Sequence, residues 1–493
     1  MPDPAGGAHL TAESPDPADL AGVVEASIAG ERLGRPQLRF VRTVALSVGI
    51  QGPVAGVIVG PAVLAGIVGG SGALAYLLGL VAMAFVAYAF VVFSRSFNSA
   101  GSVYAFNGSA VGPAYGFVSA WVLLAVYVSF AGGVYASTAD IAQSLLGSFG
   151  VQVWWVWLAL AGAAVTIVLA YLSISVSSIA IFACEGAALV LLGIVGVVVL
   201  ASGGHHHQAL SAAPFGLHGV ALGVLGLGVV NAFGAFSGFE GAATLGEESR
   251  HPTRTIPAAV AWSLVGAATV YIVFTWIADN AYPTPAALAA APAPFVHLAS
   301  VYVGPAMGTA VNIAGVISAF GAQLACVNAA NRLLFAMARD AVAPGPVRRF
   351  LTRTHPAHRS PTGALAVTGS ASVAALVAFA SERSPVRALT IIVELGAYLI
   401  IVAYLMTVVA ATVWIWRRDR RPVPLAVLSV GVVVLGYVLY DTFFPLPPAP
   451  FDWVLAAAGV VLTAGICISA VPTTRSRLSA SPLLSATRRR PAG

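Results

Sequence analysis

The chain alternates long apolar stretches with short polar junctions over almost its whole length. Twelve apolar windows each hold about 20 residues or more, the number that crosses roughly 30 Å of hydrocarbon as a helix. They cover residues 43–69, 73–93, 113–138, 153–172, 177–201, 219–245, 257–279, 304–337, 361–380, 386–415, 423–443 and 452–471. The pattern predicts an all-α polytopic membrane protein with twelve transmembrane helices, numbered here as spans 1 to 12.

Composition supports the same class of protein. Hydrophobic residues make up 59% of the 493 residues and charged residues only 9%, whereas about a quarter of a typical soluble chain is charged. The mean hydropathy is +0.90. The polar ends, residues 1–40 and 472–493, are predicted to be flexible cytoplasmic tails.

The basic residues predict the orientation of the spans. The chain has 24 basic residues and all are arginine. With the N-terminus inside, every arginine except Arg383 and Arg387 falls on the cytoplasmic side, as the positive-inside rule requires. The sequence therefore predicts a multi-pass protein of the cytoplasmic membrane with both termini cytoplasmic. The net charge of +6 needs no nucleic-acid partner.

Several kinds of chemistry are unsupported by the sequence. A chain without lysine has no Walker phosphate-binding loop, and no H-E-x-x-H zinc motif occurs. Cys184, Cys326 and Cys467 lie in predicted spans without metal-ligand spacing, and His205 to His207 fit a solvated external loop. We therefore expect no enzyme activity, no cofactor and no metal, which leaves transport or passive conduction.

Two apolar spans contain residues that interrupt a helix. The segment AFSGFEGAATLGEESRHPTRTIPAAV, from Ala235 to Val260, places glycine and a carboxylate inside span 6. In span 1, GIQGPVAG places Pro53 in mid-span, where a proline breaks the helical hydrogen-bond ladder. Irregular backbone at membrane depth survives only where protein or a cavity surrounds it, so it marks a binding site. Small residues for close helix packing are an alternative for the glycines, but they explain Pro53 and Glu240 less well.

A short repeated sequence relates the two halves of the chain. The sequence VGPA occurs at residues 111–114, where span 3 begins from the cytoplasm, and at residues 303–306, where span 8 begins from outside. Copies that lie five spans apart and face opposite ways are typical of inverted five-helix repeats. In such repeats spans 1 and 6 correspond and tend to be discontinuous.

Three segments resemble the amino acid–polyamine–organocation (APC) transporter superfamily, specifically its bacterial amino acid permeases. They are FSRSFNSAGSVYAFNGSAVGPAYGFVSAW from Phe93, GFEGAATLGEESRHPTRTIPAAV from Gly238, and NAANRLLFAMARDAVAPGPVRRF with HPAHRSPTGALA from Asn328. The second carries the family's G-F-E, E-E and N-P-x-R-x-I-P pattern, with His251 in place of asparagine. In order and spacing the three cover almost the whole chain.

This resemblance implies a LeuT-like fold with alternating access. Residues 41–415 would form a ten-helix core of 5+5 inverted repeats, and residues 416–471 would add two C-terminal helices. The substrate would lie between the two breaks, where free N–H groups of Gly52 to Gly56 suit a carboxylate and free carbonyls near Phe236 to Phe239 suit an ammonium. The candidate substrate-binding residues are Gly49, Gln51, Gly52, Pro53, Val54, Ala55, Gly56, Phe236, Ser237, Gly238 and Phe239.

Some features of these segments leave alternatives open. Span 1 has Pro-Val-Ala-Gly where the family commonly has G-S-G-I-F, so amines, polyamines or other organocations stay possible as substrates. Phe236 and Phe239 either form a thin gate or pack in the core. Glu247 and Glu248 with Arg250 and Arg254 form either a gating ion-pair network or a solvated face.

Three carboxylates in predicted spans are candidates for proton coupling. They are Glu185, Glu240 and Glu394, and an acid at mid-membrane costs roughly 2.5–3.5 kcal/mol to insert. Some proton-coupled members of the family carry a lysine in span 5, and Glu185 is the substitute here. The alternative for Glu240 is a structural tie to the broken backbone, and for Glu394 a neutral acid bonded to a neighbouring helix. A sodium site is less favoured, because Ser318 is the only intramembrane hydroxyl of span 8 after Thr309.

The sequence therefore predicts a secondary active transporter for amino acids or related amines. Its partners would be the small-molecule substrate, the lipid bilayer and, as coupling ion, the proton; exchange is the alternative to proton coupling. The competing interpretations are a polyamine or organic-cation permease, and a channel or sensor on the same fold. A channel favours rings of charge or repeated filter carbonyls, and neither is visible in the sequence.

Overall fold

The protein is helical throughout the part that the structure describes. The computed structural model describes residues 40–480 except 96–101, 173, 205–209, 218, 246–248, 250, 292, 341–343, 357, 359, 419, 445 and 448. Within these residues there is no β-strand, although an isolated β-bridge joins Thr354 and Pro361. The predictions for His205 to His207, for Glu247, Glu248 and Arg250, and for most of both tails fall outside the described residues.

Eighteen α-helices follow one another along the described chain. They are α1 (Phe40–Gln51), α2 (Pro53–Val68), α3 (Gly72–Ser94), α4 (Val103–Ala110), α5 (Pro113–Ser148), α6 (Trp155–Leu172), α7 (Ile174–Ala201), α8 (Leu222–Phe236), α9 (Pro252–Ala281), α10 (Pro285–Ala289), α11 (Pro294–Tyr302), α12 (Pro305–Arg339), α13 (Gly345–Leu351), α14 (Thr362–Val377), α15 (Pro385–Arg418), α16 (Pro422–Phe443), α17 (Phe451–Ala470) and α18 (Pro472–Ser479).

Ten helical segments in the described part are long and apolar enough to cross a membrane. They are Leu46–Ser94, Pro113–Gly147, Trp155–Leu172, Ala183–Ala201, Leu222–Leu245, Pro252–Ala281, Pro305–Arg339, Pro385–Arg418, Pro422–Phe443 and Phe451–Ala470. Helix α14 is apolar but has only 16 residues. The predicted all-helical membrane protein is confirmed. The segment predicted to be a flexible C-terminal tail differs in part, because it begins with helix α18.

Helices α5 and α12 lie at the centre of the helix bundle. In their most apolar windows 72% of the residues are buried, compared with 22% for α16 and α17. Both central helices contact α6 and α14, and α5 also packs along α15. The outer helices expose apolar side chains, such as those of Val433 and Trp453, which in a bilayer contact lipid instead of water. Residues at the centre of the bundle are therefore surrounded by protein and not by lipid, so polar groups can find hydrogen-bond partners there.

The two copies of VGPA begin the two central helices. Pro113 is the first residue of α5 and Pro305 the first residue of α12, a position where the missing N–H of proline costs no hydrogen bond. The preceding glycines have similar backbone angles, φ 157° and ψ 163° for Gly112 and φ 134° and ψ 164° for Gly304. The repeated motif thus has the same local structure in both places.

Gly116 lets α4 approach α5 closely. A Cβ atom added at Gly116 would lie 2.5 Å from the carbonyl oxygen of Tyr104 and 2.6 Å from the Cα of Gly108, both backbone atoms of α4. Backbone cannot move aside as the end of a flexible side chain can, so any larger residue would push the two helices apart. This contact explains why the second glycine of the G-P-x-x-G-F segment is needed.

We expect Gly116→Ala to lower the stability of the folded protein by about 1–3 kcal/mol, the usual cost of overpacking. The matched control is Gly147→Ala in the same helix, where an added Cβ meets no atom within 4 Å. The measurement is the apparent melting temperature of the purified protein in detergent, followed by size-exclusion chromatography after heating. Equal melting temperatures for the two variants would contradict the close contact between α4 and α5.

Candidate functional site

Span 1 is interrupted at Gly52, between α1 and α2. Gly52 has φ 50° and ψ 54°, a left-handed conformation that glycine adopts at little cost. Pro53 follows as the first residue of α2 and has no N–H to continue the ladder of α1. Gly52 is also packed against α12, because an added Cβ would lie 3.1 Å from the Cβ of Ala322. The break is therefore where the GIQGPVAG sequence predicts it.

All N–H groups at the start of α2 have partners within the protein. The Gly52 N–H donates to the Val48 carbonyl at 3.0 Å, and Pro53 has no N–H. The Val54 N–H donates to Glu185 Oε1 at 2.9 Å, and the Ala55 N–H donates to Ser318 Oγ at 3.1 Å. The next N–H, of Gly56, donates to the Gly52 carbonyl at 3.0 Å. The expectation of free N–H groups from Gly52 to Gly56 is wrong for this conformation.

Glu185 and Ser318 form one network at this helix end. The Ser318 hydroxyl donates to Glu185 Oε1 at 3.1 Å while its oxygen accepts from Ala55. Glu185 comes from α7 and Ser318 from α12, and both side chains are buried. A carboxylate at a helix N-terminus is stabilised by the partial positive charge there. The network therefore joins three helices around one carboxyl group.

Span 6 is interrupted after Phe236, and α1 supplies the partners for its freed carbonyls. Ser237 and Gly238 separate α8 from a 3₁₀ helix over Phe239–Leu245. Gln51 Nε2 donates to the Phe236 carbonyl at 3.0 Å, and Ser47 Oγ donates to the Phe239 carbonyl at 2.9 Å. Two of the carbonyls that were expected to be free, those of Phe236 and Phe239, thus each accept a side-chain hydrogen bond, and the Gly238 carbonyl accepts from the Gly241 N–H at 3.0 Å. The two breaks lie side by side in the structure.

Gly238 lies at the break of span 6. Its φ of 115° lies in a region that residues with a Cβ atom rarely adopt. An added Cβ would also lie 2.5 Å from Ile50 Cγ2, so the break packs directly on α1. Both requirements select glycine at this position.

Glu240 is enclosed by hydrogen-bond donors. Oε1 accepts from the Tyr127 hydroxyl at 3.0 Å, and Oε2 accepts from the Tyr404 hydroxyl at 2.6 Å and from the Gly238 N–H at 2.8 Å. The side chain is fully buried. Tyr127 belongs to α5 and Tyr404 to α15, so the carboxylate connects the broken backbone of span 6 to two helices of the bundle. This arrangement can hold the break in place.

The two phenylalanines that flank the break belong to aromatic clusters. The ring centroid of Phe236 is 5.6 Å from that of Tyr76 and 5.9 Å from that of Tyr271. The Tyr271 hydroxyl donates to the Gln51 carbonyl at 2.9 Å, which satisfies the last carbonyl of α1. Phe239 packs against Phe90 and Tyr404 with centroid distances of 5.8 Å and 5.7 Å. Both rings are buried here, each in a different aromatic cluster.

The remaining candidates lie in different surroundings. Gly49 is on α1, where an added Cβ would lie 3.2 Å from the Cβ of Ala325. Glu394 is half-buried on α15, one turn before Tyr398 on the same helix. The structure thus brings Glu185 and Glu240 to the breaks, whereas no hydrogen bond described here connects Glu394 to either break.

Sequence reasoning missed several groups that complete the site. They are Ser47, Tyr127, Tyr271 and Tyr404, and Ser318 was noted only as an available hydroxyl. A usable signal existed, because a hydroxyl buried in an apolar span has to find a hydrogen-bond partner. The sequence does not say which partner it finds.

Comparisons with known proteins agree with a transporter. The sequence profile of the amino acid permease family matches residues 38–466. An uncharacterised transporter of Mycobacterium tuberculosis is 31% identical over 373 residues, which cover 74% of this chain and 78% of that protein. The branched-chain amino acid permease BcaP of Lactococcus lactis is 29% identical over 304 residues, covering 57% of this chain and 64% of BcaP. The low-affinity putrescine importer PlaP of Escherichia coli is 24% identical over 366 residues, covering 73% and 76%.

The match to the family profile extends over all the broken and central helices described above. It confirms the resemblance drawn from the three sequence segments, and the apolar helices fit a membrane location. This chain belongs to the amino acid permease family and is a multi-pass membrane protein of the transporter class.

Proposed function

We propose that the protein is a secondary active transporter that moves amino acids or related amines across the cytoplasmic membrane by alternating access. The observation that carries the proposal is the meeting of two broken spans, seen in the hydrogen bond from Gln51 Nε2 to the Phe236 carbonyl. Two relatives are named for the transport of branched-chain amino acids and of putrescine. Both kinds of substrate carry an amine group, and we propose that the substrate of this protein carries one too.

We propose twelve crossings for this transporter. The segment Leu46–Ser94 contains two of them, because the 3₁₀ turn Gly69–Ser71 separates α2 from α3. Helix α14 is the ninth crossing, and its 16 residues rise about 24 Å, a little less than the hydrocarbon thickness. With this count the arginine distribution supports cytoplasmic termini on both ends.

We further propose a 5+5 inverted repeat with two additional helices. The support comes from the broken spans, which lie five crossings apart, and from the two VGPA segments that begin α5 and α12 with similar backbone angles. The low burial of α16 and α17 fits helices outside the repeated core. In this arrangement the first ten crossings carry the transport machinery and the last two pack on its outside.

The substrate is assigned to the space between the two breaks. The residues proposed to line it are Gly49, Gln51, Gly52, Pro53, Val54, Ala55, Gly56, Phe236, Ser237, Gly238 and Phe239. Phe236, together with Tyr76 and Tyr271, is proposed as a thin gate, because these rings pack against one another next to the break in the present conformation. Alternating access then requires that this aromatic cluster separate.

For the three acids we propose different roles. Glu240 is the structural tie of span 6, because three donors from three parts of the chain enclose it. Glu185 is the proton-coupling group, because it touches the end of α2 that has to move when the site opens. Glu394 remains the third candidate for coupling.

Counterflow separates a transporter from a channel or sensor on the same fold. Proteoliposomes preloaded with unlabelled putrescine or leucine are diluted into a trace of the same labelled compound outside. A transporter accumulates the label transiently and the rate saturates with concentration, because one site faces each side in turn. A channel gives neither transient accumulation nor saturation, and a sensor gives no flux; either result would contradict the proposed function.

Substitution of the three acids tests their roles. For Glu185→Gln we expect a folded protein whose uptake no longer changes when an inward proton gradient is imposed. For Glu240→Gln we expect reduced stability, by about 1.5–3 kcal/mol for each lost hydrogen bond to a charged group, with proton dependence retained in the protein that folds. The readouts are uptake with and without the gradient and the apparent melting temperature.

The matched control is Glu382→Gln. Glu382 lies away from both breaks and forms a surface ion pair with Arg387, in which Arg387 Nε and Glu382 Oε2 are 3.2 Å apart. This variant should change neither readout. Proton dependence that survives Glu185→Gln but disappears in Glu394→Gln would move the coupling role to Glu394.

A further inference from the structure

The site between the two breaks has no spare hydrogen-bond donor at the start of α2. The N–H groups of Gly52, Val54 and Ala55 all donate to protein groups, and Pro53 has none. These are the groups that would otherwise bind the carboxylate of a substrate. A carboxylate is nevertheless present at this helix end, because the chain supplies its own with Glu185.

The same site offers acceptors. Both hydrogen bonds of the Glu185 network, from Val54 and from Ser318, go to Oε1, and Oε2 takes part in neither. Gln51, directly before the break, is 7% exposed, and its Oε1 has no hydrogen-bond partner in the described part of the chain. A buried acceptor without a donor is unfavourable, so it is a position where a ligand with N–H groups gains free energy.

We propose that Glu185 takes the place of a substrate carboxylate, so that the site selects organic amines that lack a carboxylate. The ammonium group of such a ligand donates to Glu185 Oε2 and to Gln51 Oε1. This inference rests on the proposed function, in which the substrate binds between the two breaks. It narrows the proposed substrate class to amines that lack a carboxylate and excludes amino acids.

Electrostatics and hydrogen bonding favour the same ligand. An amino acid in this site would bring its carboxylate to a helix end that Glu185 already occupies, and two like charges repel strongly where water is excluded. An amine without a carboxylate adds one positive charge beside one negative charge and supplies the missing donors. Glu185 is held by Val54, by Ser318 and by the positive end of α2, so it is not easily displaced.

The test uses pairs of compounds that differ only in the carboxylate. Putrescine is paired with ornithine and 3-methylbutylamine with leucine. Binding to the purified full-length protein in lipid nanodiscs is measured by the ligand-dependent rise of the melting temperature, and uptake is measured in proteoliposomes. We expect at least one amine to bind about 10-fold or more tightly than its paired amino acid, the effect of one hydrogen bond to a charged group.

Two variants at Glu185 separate specificity from a merely structural role. Glu185→Ala removes the built-in carboxylate and frees the Val54 N–H, so the paired amino acid should gain affinity and the amine should lose it. Glu185→Gln keeps a hydrogen-bonding oxygen at Val54 but removes the charge. It should weaken amine binding by about 10-fold without any gain for amino acids. Glu382→Gln is the matched control and should leave the preference unchanged.

The outcomes are distinct. Preference of the unmodified protein for the amino acids, or an unchanged preference in a folded Glu185 variant, overturns this inference and leaves the proposed function intact. If Glu185→Ala does not fold, Glu185→Gln alone decides. Absence of saturable uptake for both members of every pair overturns the proposed function and this inference with it.

Discussion

A peptide group freed inside the hydrocarbon layer has to find its hydrogen-bond partner in the protein. Two breaks in the helices of this chain create such groups, and the structure satisfies them with side chains from distant helices. Glu185 and Ser318 accept from the start of α2, while Gln51 and Ser47 donate to the carbonyls of span 6. Polar side chains therefore meet the open backbone at the two described breaks, which is what a small polar ligand requires.

The two acids at the breaks differ in how completely their oxygens are used. Glu240 has three donors spread over both oxygens, which suits a permanent tie between the broken backbone and the bundle. Glu185 has both described donors on a single oxygen and sits where α2 begins. Because of this difference in hydrogen bonding, we assign a structural role to Glu240 and ligand or proton binding to Glu185.

Close helix contacts make this geometry possible. Gly116 lets α4 touch the backbone of α5, and Gly238 brings the break of span 6 onto Ile50 of α1. At Gly56 an added Cβ would lie 2.4 Å from the hydroxyl of Tyr271, whose donation to the Gln51 carbonyl depends on that space. Gly116 and Gly238 thus allow close helix packing, and Gly56 also leaves room for the hydroxyl that satisfies the Gln51 carbonyl.

The sequence alone determined the helical membrane class, the family and the positions of both breaks. Those features depend on local chemistry: the length of an apolar run, the missing N–H of Pro53 and the positive φ that Gly238 tolerates. Only the tertiary structure decided the partners, because Val54 and Glu185 are 131 residues apart and Tyr404 and Glu240 are 164 apart. Spans that are apolar on all sides carry no periodicity to show which face meets which neighbour. Which hydroxyl or carboxylate reaches which peptide group is therefore fixed by the packing of the helices.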